Sequence, residues 1–264
     1  MLALYVWLAQ MGYDDAFSFG PSAGYGAAGG DDYTGIGLIL VLVCMLLGWW
    51  VQHNLSSKMK RFFATPAPLT GAETALRMLR ENGLGDVRIT CVKGQLTDHY
   101  NPLNRTVNLS EDVYHAATVA SMAVAAHECG HAVQHAHAYP WMGLRSSMVP
   151  MVNIGSRMGQ MVLMLGLVLL GAGSGATVAW IGLGLYATTT LFALVTLPVE
   201  FDASRRALAW MKGCGLADRA MHGNATSALR AAAMTYVSAA LSSLAMLLYY
   251  AFIILARSNR NNRN

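Results

Sequence analysis

The chain carries the stretch AHECGHA at residues 126–132, inside a run that is predicted to be helical from about Ala116 to His137. Histidines four positions apart lie about 40° apart around a helix and one turn along it, so His127 and His131 can reach one metal ion at about 2.0–2.1 Å. Glu128 then projects beside the ion, where a carboxylate can take a proton from an activated water and pass it to a leaving amine. The stretch therefore predicts a zinc site suited to peptide hydrolysis, with Glu128 as its base.

The residues around this motif predict a buried helix. They are apolar on nearly every face, namely Val119, Ala120, Met122, Ala123, Val124, Ala125, Ala126, Ala132 and Val133. Burying two histidines and a glutamate without partners costs free energy, so a bound metal explains them better than an ordinary polar surface does. Cys129 is predicted to lie on another face of the helix, away from the metal.

The composition is that of a membrane protein. Of 264 residues, 55% are hydrophobic and only 12% are charged. The net charge of +4 comes without a basic run mixed with aromatic residues, so no nucleic-acid partner is expected. The four cysteines show no C-x-x-C spacing and are interpreted as free thiols of a reducing compartment.

The first spanning segment is predicted at residues 35–51, after a tail at residues 1–34 that is expected to be extracytoplasmic. The tail carries four aspartates and no lysine or arginine, whereas Lys58, Lys60 and Arg61 follow the span. Because positive charge favours the cytoplasmic side, the catalytic region at residues 52–157 is predicted to be cytoplasmic.

Within that region the sequence predicts a small α+β domain. Thr70 and Glu73 form a capping-box pattern at the start of a short helix. Alternating residues predict strands at about 86–92 and 105–109. Their sheet would leave an edge beside the zinc, where an extended substrate could add by main-chain hydrogen bonds, or would only cover the motif helix; both interpretations stay open.

The second half of the chain predicts three further spans. Residues 158–197 contain no charged side chain and are divided by a Gly-rich turn, so a transmembrane hairpin is expected at 158–198. A new helix is predicted to open at Pro198, where the membrane ends. It begins a cytoplasmic helical region at 199–230, which is followed by a last span at 231–256 and a basic tail at 257–264. Four spans that begin outside end outside, although arginines in the last tail favour the inside, so the side of that tail stays open.

A catalytic zinc needs a third protein ligand. His135 lies on the same face of the helix as His127 and His131, but the three histidines cover about 12 Å of helix, which is too long for one ion to bridge. His137 has the spacing of a third histidine, although Gln134 stands where that arrangement needs a glycine. Glu200 is the preferred candidate because the hairpin returns it to the same side as His127.

Residues near Glu200 also offer support for a ligand histidine. Asp202 or Ser204 is expected to orient one of the imidazoles by a hydrogen bond, as metal-bound histidines usually require.

Several stretches together resemble the YugP-like family of bacterial membrane neutral zinc metallopeptidases. The matching stretches are LTDHY at 96–100, AAHECGHA at 125–132, NIGSR at 153–157, LPVEFDAS at 197–204 and LSSL at 241–244. The resemblance covers about residues 35–256 and implies a membrane-bound zinc peptidase with His127 and His131 as ligands and Glu128 as base. More distantly the chain looks like the gluzincin proteases of the HtpX and CAAX prenyl type, in which a glutamate after a hairpin is the third ligand. Those proteases have an aspartate at the position of Ser204.

Together these patterns predict a mainly α membrane protein with about four transmembrane helices and a small α+β zincin-like catalytic domain. The expected function is zinc-dependent endopeptidase activity at the bacterial inner membrane, with the site on the cytoplasmic side. Expected partners are the lipid bilayer, membrane-associated protein or peptide substrates, and other membrane proteins. A zinc-bound scaffold that does not cleave its partners is the alternative, which the presence of Glu128 disfavours because a scaffold needs no base.

Overall fold

A computed structural model of the chain describes residues 32–171, 174–215 and 218–261. The predicted tail up to residue 31 and the last three residues of the basic tail lie outside this part. The described residues form seven helices and three strands, in the order α1 (Asp32–Phe63), α2 (Gly71–Glu81), β1 (Arg88–Val92), β2 (His99–Asn101), β3 (Thr106–Ser110), α3 (Glu111–His115), α4 (Val119–Ala136), α5 (Pro140–Gly171), α6 (Ala176–Gly213) and α7 (Arg219–Asn261). The predicted mainly α fold with a small sheet is confirmed.

Four of these helices are long and apolar enough to cross a membrane. Across the described residues, the candidate spans are Gly35–Phe63, Pro140–Leu170, Ala176–Gly213 and Arg219–Ser258. Along the first of them large apolar side chains such as Ile39, Leu46 and Trp49 are exposed, as expected for a surface that faces lipid rather than water. The number of spanning helices agrees with the prediction from hydropathy.

The helix that carries Glu200 is longer than the sequence suggested. A new helix was expected to open at Pro198, but Pro198 lies inside α6, which continues to Gly213. Proline removes one backbone hydrogen bond from a helix, a loss that apolar spanning helices tolerate when neighbouring groups compensate. Glu200 is therefore a mid-helix residue. Pro140 comes after the end of the motif helix and is the first residue of α5, where its missing N–H is harmless.

The three strands form one mixed sheet in the order β1-β3-β2. Strand β1 runs parallel to β3, and β2 runs antiparallel to β3 with Tyr100 opposite Val107. Strand β2 was not predicted from the sequence, because three residues are too few to show an alternating pattern. The chain just before β2 is held by the buried carboxylate of Asp98, which accepts hydrogen bonds from the Ser110 backbone N–H and hydroxyl at 2.8 and 3.1 Å.

One compact unit comprises Val51–Leu144 and Thr196–Tyr236 as far as these are described. Its helix α2 begins with the predicted capping box, in which Thr70 and Glu73 bond to each other's backbone N–H groups. Its core joins α2, the sheet, α4 and parts of α6 and α7. The largest of its fully buried apolar side chains are Met78, Leu79, Leu109, Met122, Met211 and Leu229.

The second unit contains the remaining described residues, nearly all of which belong to the four long helices. Two glycines allow α5 and α6 to approach closely there: a β-carbon on Gly166 would lie 2.3 Å from the Ala179 backbone nitrogen, and one on Gly182 would lie 2.3 Å from that of Leu163. Small residues at such crossings let helix backbones pack tightly in a membrane. The buried side chains of Leu163, Leu167, Leu170, Ala179, Leu183, Tyr250, Ile253 and Ile254 form its core.

Candidate metal centre

Helix α4 carries the H-E-x-x-H motif through the core of its unit. Every residue from Val119 to Gln134 is buried, including His127, Glu128 and His131. The helix is closed at its start by Thr118, whose hydroxyl accepts a hydrogen bond from the Ser121 backbone N–H. The three polar side chains of the motif are thus withdrawn from solvent, as the apolar flanks predicted.

Helix α6 brings Glu200 against this motif. The Glu200 Oε2 atom lies 3.2 Å from His127 Nε2 and 3.6 Å from His131 Nε2. One ligand atom from each of these residues lies within 4.8 Å of those of the other two. Within the described residues, this is the one group of three or more His, Cys, Asp or Glu side chains that could hold a metal ion.

The close approach of α4 and α6 depends on Gly130, which lies between the two histidines. A β-carbon at Gly130 would stand 2.6 Å from the carbonyl oxygen of Ala203 and 3.1 Å from its α-carbon. A β-carbon essentially never lies as close as 2.6 Å to a backbone oxygen, so a larger residue would force the helices apart. The glycine inside the motif therefore lets the carboxylate of one helix reach the imidazoles of the other.

The donor set fits zinc. Two imidazole nitrogens and one carboxylate oxygen are a ligand set of catalytic zinc sites. Ligand atoms about 2.0–2.1 Å from a tetrahedral zinc lie about 3.3–3.4 Å from one another. The two distances from Glu200 Oε2, 3.2 and 3.6 Å, bracket this value. The side chains are therefore already spaced as a shared ion would require.

Electrostatics keep His127 in the form that binds a metal. Burial lowers the pKa of its imidazole below the usual value and outweighs the hydrogen bond to Glu200, which acts to raise it. Metal ligation requires the neutral imidazole with a free lone pair. The neutral imidazole of His127 is therefore favoured, so a metal ion does not have to displace a proton from it.

Glu128 faces the sheet rather than Glu200. Its Oε2 atom accepts a hydrogen bond of 3.1 Å from the backbone N–H of Tyr100, in the edge strand β2. The carboxylate is thus held between the motif histidines on its own helix and the edge of the sheet. An extended chain placed along β2 would pass beside it.

Each histidine is also contacted on its other ring nitrogen. His127 Nδ1 lies 3.1 Å from the Ser204 hydroxyl, and His131 Nδ1 lies 3.0 Å from Gln134 Oε1. The Gln134 amide nitrogen donates to the Val199 carbonyl at 2.7 Å and to Asp202 Oδ2 at 3.0 Å. Hydrogen bonds of this kind orient metal-bound histidines in many proteins.

Comparison with known proteins gives the same indication as the geometry. A family model described as "Putative neutral zinc metallopeptidase" matches residues 37–255. The chain belongs to this family. It is 39% identical over 226 residues to the "Putative membrane protease YugP" of Bacillus subtilis (strain 168), which covers 85% of this chain and 99% of that protein. No solved structure is significantly similar.

The other histidines considered as ligands have partners elsewhere. His135 Nδ1 lies 2.8 Å from the Tyr100 hydroxyl, and His137 Nδ1 lies 3.5 Å from the Arg206 guanidinium. Cys129 points away from the three donors, with its thiol 3.8 Å from the Ala75 carbonyl oxygen. Burial raises the pKa of this thiol well above its usual value, which keeps it protonated.

Sequence reasoning missed two residues that contact the motif, Tyr100 and Gln134. Gln134 stands three positions after His131, so helical spacing alone places both on one face and could have indicated their contact. Of the two residues expected to orient an imidazole, Ser204 contacts His127 directly, whereas Asp202 reaches His131 only through Gln134. No local pattern indicated Tyr100, because its contact with Glu128 depends on how the sheet packs on α4.

Proposed function

We propose that this chain is a membrane-embedded zinc endopeptidase. The observation that carries the proposal is the convergence of His127, His131 and Glu200 within 4.8 Å in a buried site, with Glu128 next to them in the motif. Membership of a family described as zinc metallopeptidases, and a relative described as a membrane protease, support it.

In this proposal His127, His131 and Glu200 hold the zinc and Glu128 is not a ligand. When bound, zinc acts as a Lewis acid that polarises the scissile carbonyl and lowers the pKa of a water. The buried surroundings strengthen such electrostatic effects, because the site excludes bulk solvent.

Glu128 acts as the base. Its carboxylate takes one proton from the attacking water while the water oxygen forms a bond to the scissile carbonyl carbon. When the carbon–nitrogen bond breaks, Glu128 delivers this proton to the leaving nitrogen, so that an acid and an amine result. The hydrogen bond from the Tyr100 N–H to Oε2 holds the carboxylate in place.

We place the substrate along β2, one of the two edge strands of the described sheet. The Tyr100 N–H points at Glu128, so this edge of the strand borders the site. A peptide in extended form can add to such an edge by main-chain hydrogen bonds, which requires no particular side-chain sequence. This favours a peptidase that acts on unfolded or locally unfolded segments of membrane-associated proteins.

The proposed location is a cytoplasmic membrane, crossed several times, with the site on the cytoplasmic side. Four helices are long and apolar enough to span the bilayer, and two lysines and an arginine lie near the C-terminal end of the first of them. Positive residues favour the cytoplasmic face. Protein or peptide substrates and lipid are the expected partners.

The test is proteolysis by the purified full chain in detergent, with a fluorescent unfolded protein as probe. We expect cleavage that stops when a zinc chelator is added and returns when zinc is restored, because the proposed reaction requires the metal as its Lewis acid. Cleavage that continues in chelator would contradict the proposal. Zinc binding without cleavage of any unfolded protein would instead favour a scaffold.

A further inference from the structure

Gln134 is a fully buried polar side chain whose hydrogen bonds reach from a proposed zinc ligand to another helix. Its Oε1 atom lies 3.0 Å from His131 Nδ1, and its Nε2 atom lies 2.7 Å from the Val199 carbonyl oxygen and 3.0 Å from Asp202 Oδ2. Nothing in the chemistry proposed above uses this residue.

The orientation of the Gln134 amide is decided by its partners. A carbonyl oxygen can only accept a hydrogen bond, and Asp202, which contacts Arg205 and Arg206, is an acceptor as well. The NH₂ group must therefore face Val199 and Asp202, which leaves the amide oxygen facing His131.

This orientation selects one tautomer of His131. Because the amide oxygen can only accept, His131 Nδ1 must carry the proton, and the lone pair of the neutral ring must be on Nε2. That is the nitrogen which lies 3.6 Å from Glu200 Oε2. His127 has no such constraint, since the Ser204 hydroxyl at its Nδ1 can donate or accept.

We propose that Gln134 is a positioning residue that fixes His131 as the Nδ1–H tautomer and aims its Nε2 lone pair at the metal. Because the amide is held by Val199 and Asp202 of α6, it also fixes His131 relative to the helix that carries Glu200. This inference rests on the proposed zinc site. Removal of such an outer partner typically weakens metal binding about 10- to 100-fold.

The test compares zinc affinity among variants purified in detergent, measured by competition with a chelating dye. Gln134→Met keeps the length of the side chain and removes all three hydrogen bonds. Gln134→Glu keeps one oxygen that accepts a hydrogen bond from His131. Its other oxygen can be protonated and then donate a hydrogen bond to the Val199 carbonyl. The matched control is Ser121→Ala, which removes a buried hydroxyl from the same helix far from the histidines.

We expect Gln134→Met to weaken zinc binding at least tenfold and to alter the visible absorption of the cobalt-substituted protein. Gln134→Glu should lie nearer to the wild type, and Ser121→Ala should bind zinc as the wild type does. A merely structural role would lower the thermal midpoint of the zinc-free protein without separating the methionine and glutamate variants in affinity.

Three outcomes overturn the inference. One is a folded Gln134→Met variant with wild-type zinc affinity and cobalt spectrum. Another is an equal loss of affinity in the methionine and glutamate variants, which would assign Gln134 to packing. The third needs no variant of Gln134. It is the observation of His131 as the Nε2–H tautomer in nitrogen-15 spectra of the zinc-free wild type, assigned by comparison with His131→Asn. A wild type that binds no zinc would refute the proposed function itself, which distinguishes the two failures.

Discussion

His127 and Glu128 are adjacent in sequence, yet their side chains meet different parts of the molecule. His127 faces Glu200 of α6, 73 residues further along the chain, whereas Glu128 faces the backbone of Tyr100 in β2. Neighbouring residues of a helix project about 100° apart, so one turn can present a metal ligand to one element and a base to another. This separation is why the two residues are expected to respond differently to mutation.

We predict one zinc per chain, held independently of Glu128. Glu128→Gln should keep the zinc and lower turnover about 10²- to 10⁴-fold, because the amide cannot take a proton. His131→Ala should lose the metal and the activity together. Zinc content of dialysed protein, by elemental analysis, and the rate of cleavage of an unfolded protein measure both effects.

The matched control for this pair is Glu111→Gln, which neutralises an exposed glutamate at the start of α3 and should change neither quantity. Zinc stoichiometry near one in the His131→Ala variant would show that the ligands are assigned wrongly. Loss of zinc from a folded Glu128→Gln variant would show that Glu128 is a ligand and not the base.

At the scale of elements, the site depends on the crossing of α4 and α6. Five contacts in and around the site connect these two helices: two from Glu200 to the motif histidines, one from Ser204 to His127, and two from Gln134. All of them require the close approach that Gly130 permits, since a β-carbon there would meet the Ala203 carbonyl at 2.6 Å.

We predict that Gly130→Ala moves α4 away from α6 and weakens zinc binding, although the substitution adds only one methyl group. Overpacking of this kind costs about 1–3 kcal/mol of stability. The measurements are the thermal midpoint of the purified protein and its zinc affinity, both of which should fall.

Gly143→Ala is the control, because a β-carbon at Gly143 in α5 meets nothing within 4 Å. Alanine is favoured over glycine inside a helix by about 1 kcal/mol, so this variant should be as stable as the wild type or more so. A Gly130→Ala variant that matches the control in both measurements would show that the helix crossing does not hold the site together.

At the scale of the whole molecule, the proposed chemistry restricts the membrane topology. His127 and Glu200 must lie on one side of the bilayer to share a metal, so an even number of spans must separate them. The hairpin predicted at residues 158–198 supplies two spans. The charges on either side of the predicted first span favour the cytoplasm as the side on which the site lies.

Cysteine labelling in intact cells tests this topology, in a background without the four native cysteines. Cysteines introduced at Arg61, Tyr139 or Lys212 should be protected from an impermeant thiol reagent, whereas one at Ser174, or at Gly24 outside the described residues, should react. All five should react after permeabilisation.

Labelling at Tyr139 in intact cells would place the site on the other face. Labelling of the Tyr139 and Lys212 positions from opposite faces would exclude Glu200 as the third ligand, because the hydrocarbon layer is about 30 Å thick.

The sequence by itself determined the features that depend on local spacing or on a run of similar residues. The i, i+4 spacing of His127 and His131 follows from helix geometry, and the capping box of Thr70 and Glu73 follows from the unpaired N–H groups of a helix start. The number of spanning helices follows from the length of apolar runs, which must match the bilayer. Glu200 was proposed as the third ligand because the predicted hairpin returns it to the side of His127, and the resemblance to the gluzincin proteases supported this choice.

Only the tertiary structure decided which groups surround each of these side chains. Strand β2 is too short to show a pattern, and its contact with Glu128 arises from packing of the sheet on α4. Gln134 and Asp202, 68 residues apart, meet because α4 and α6 cross at Gly130. Hydrogen bonds between distant segments are set by the positions of whole helices, whereas the residues near a side chain in sequence specify only the helix that carries it.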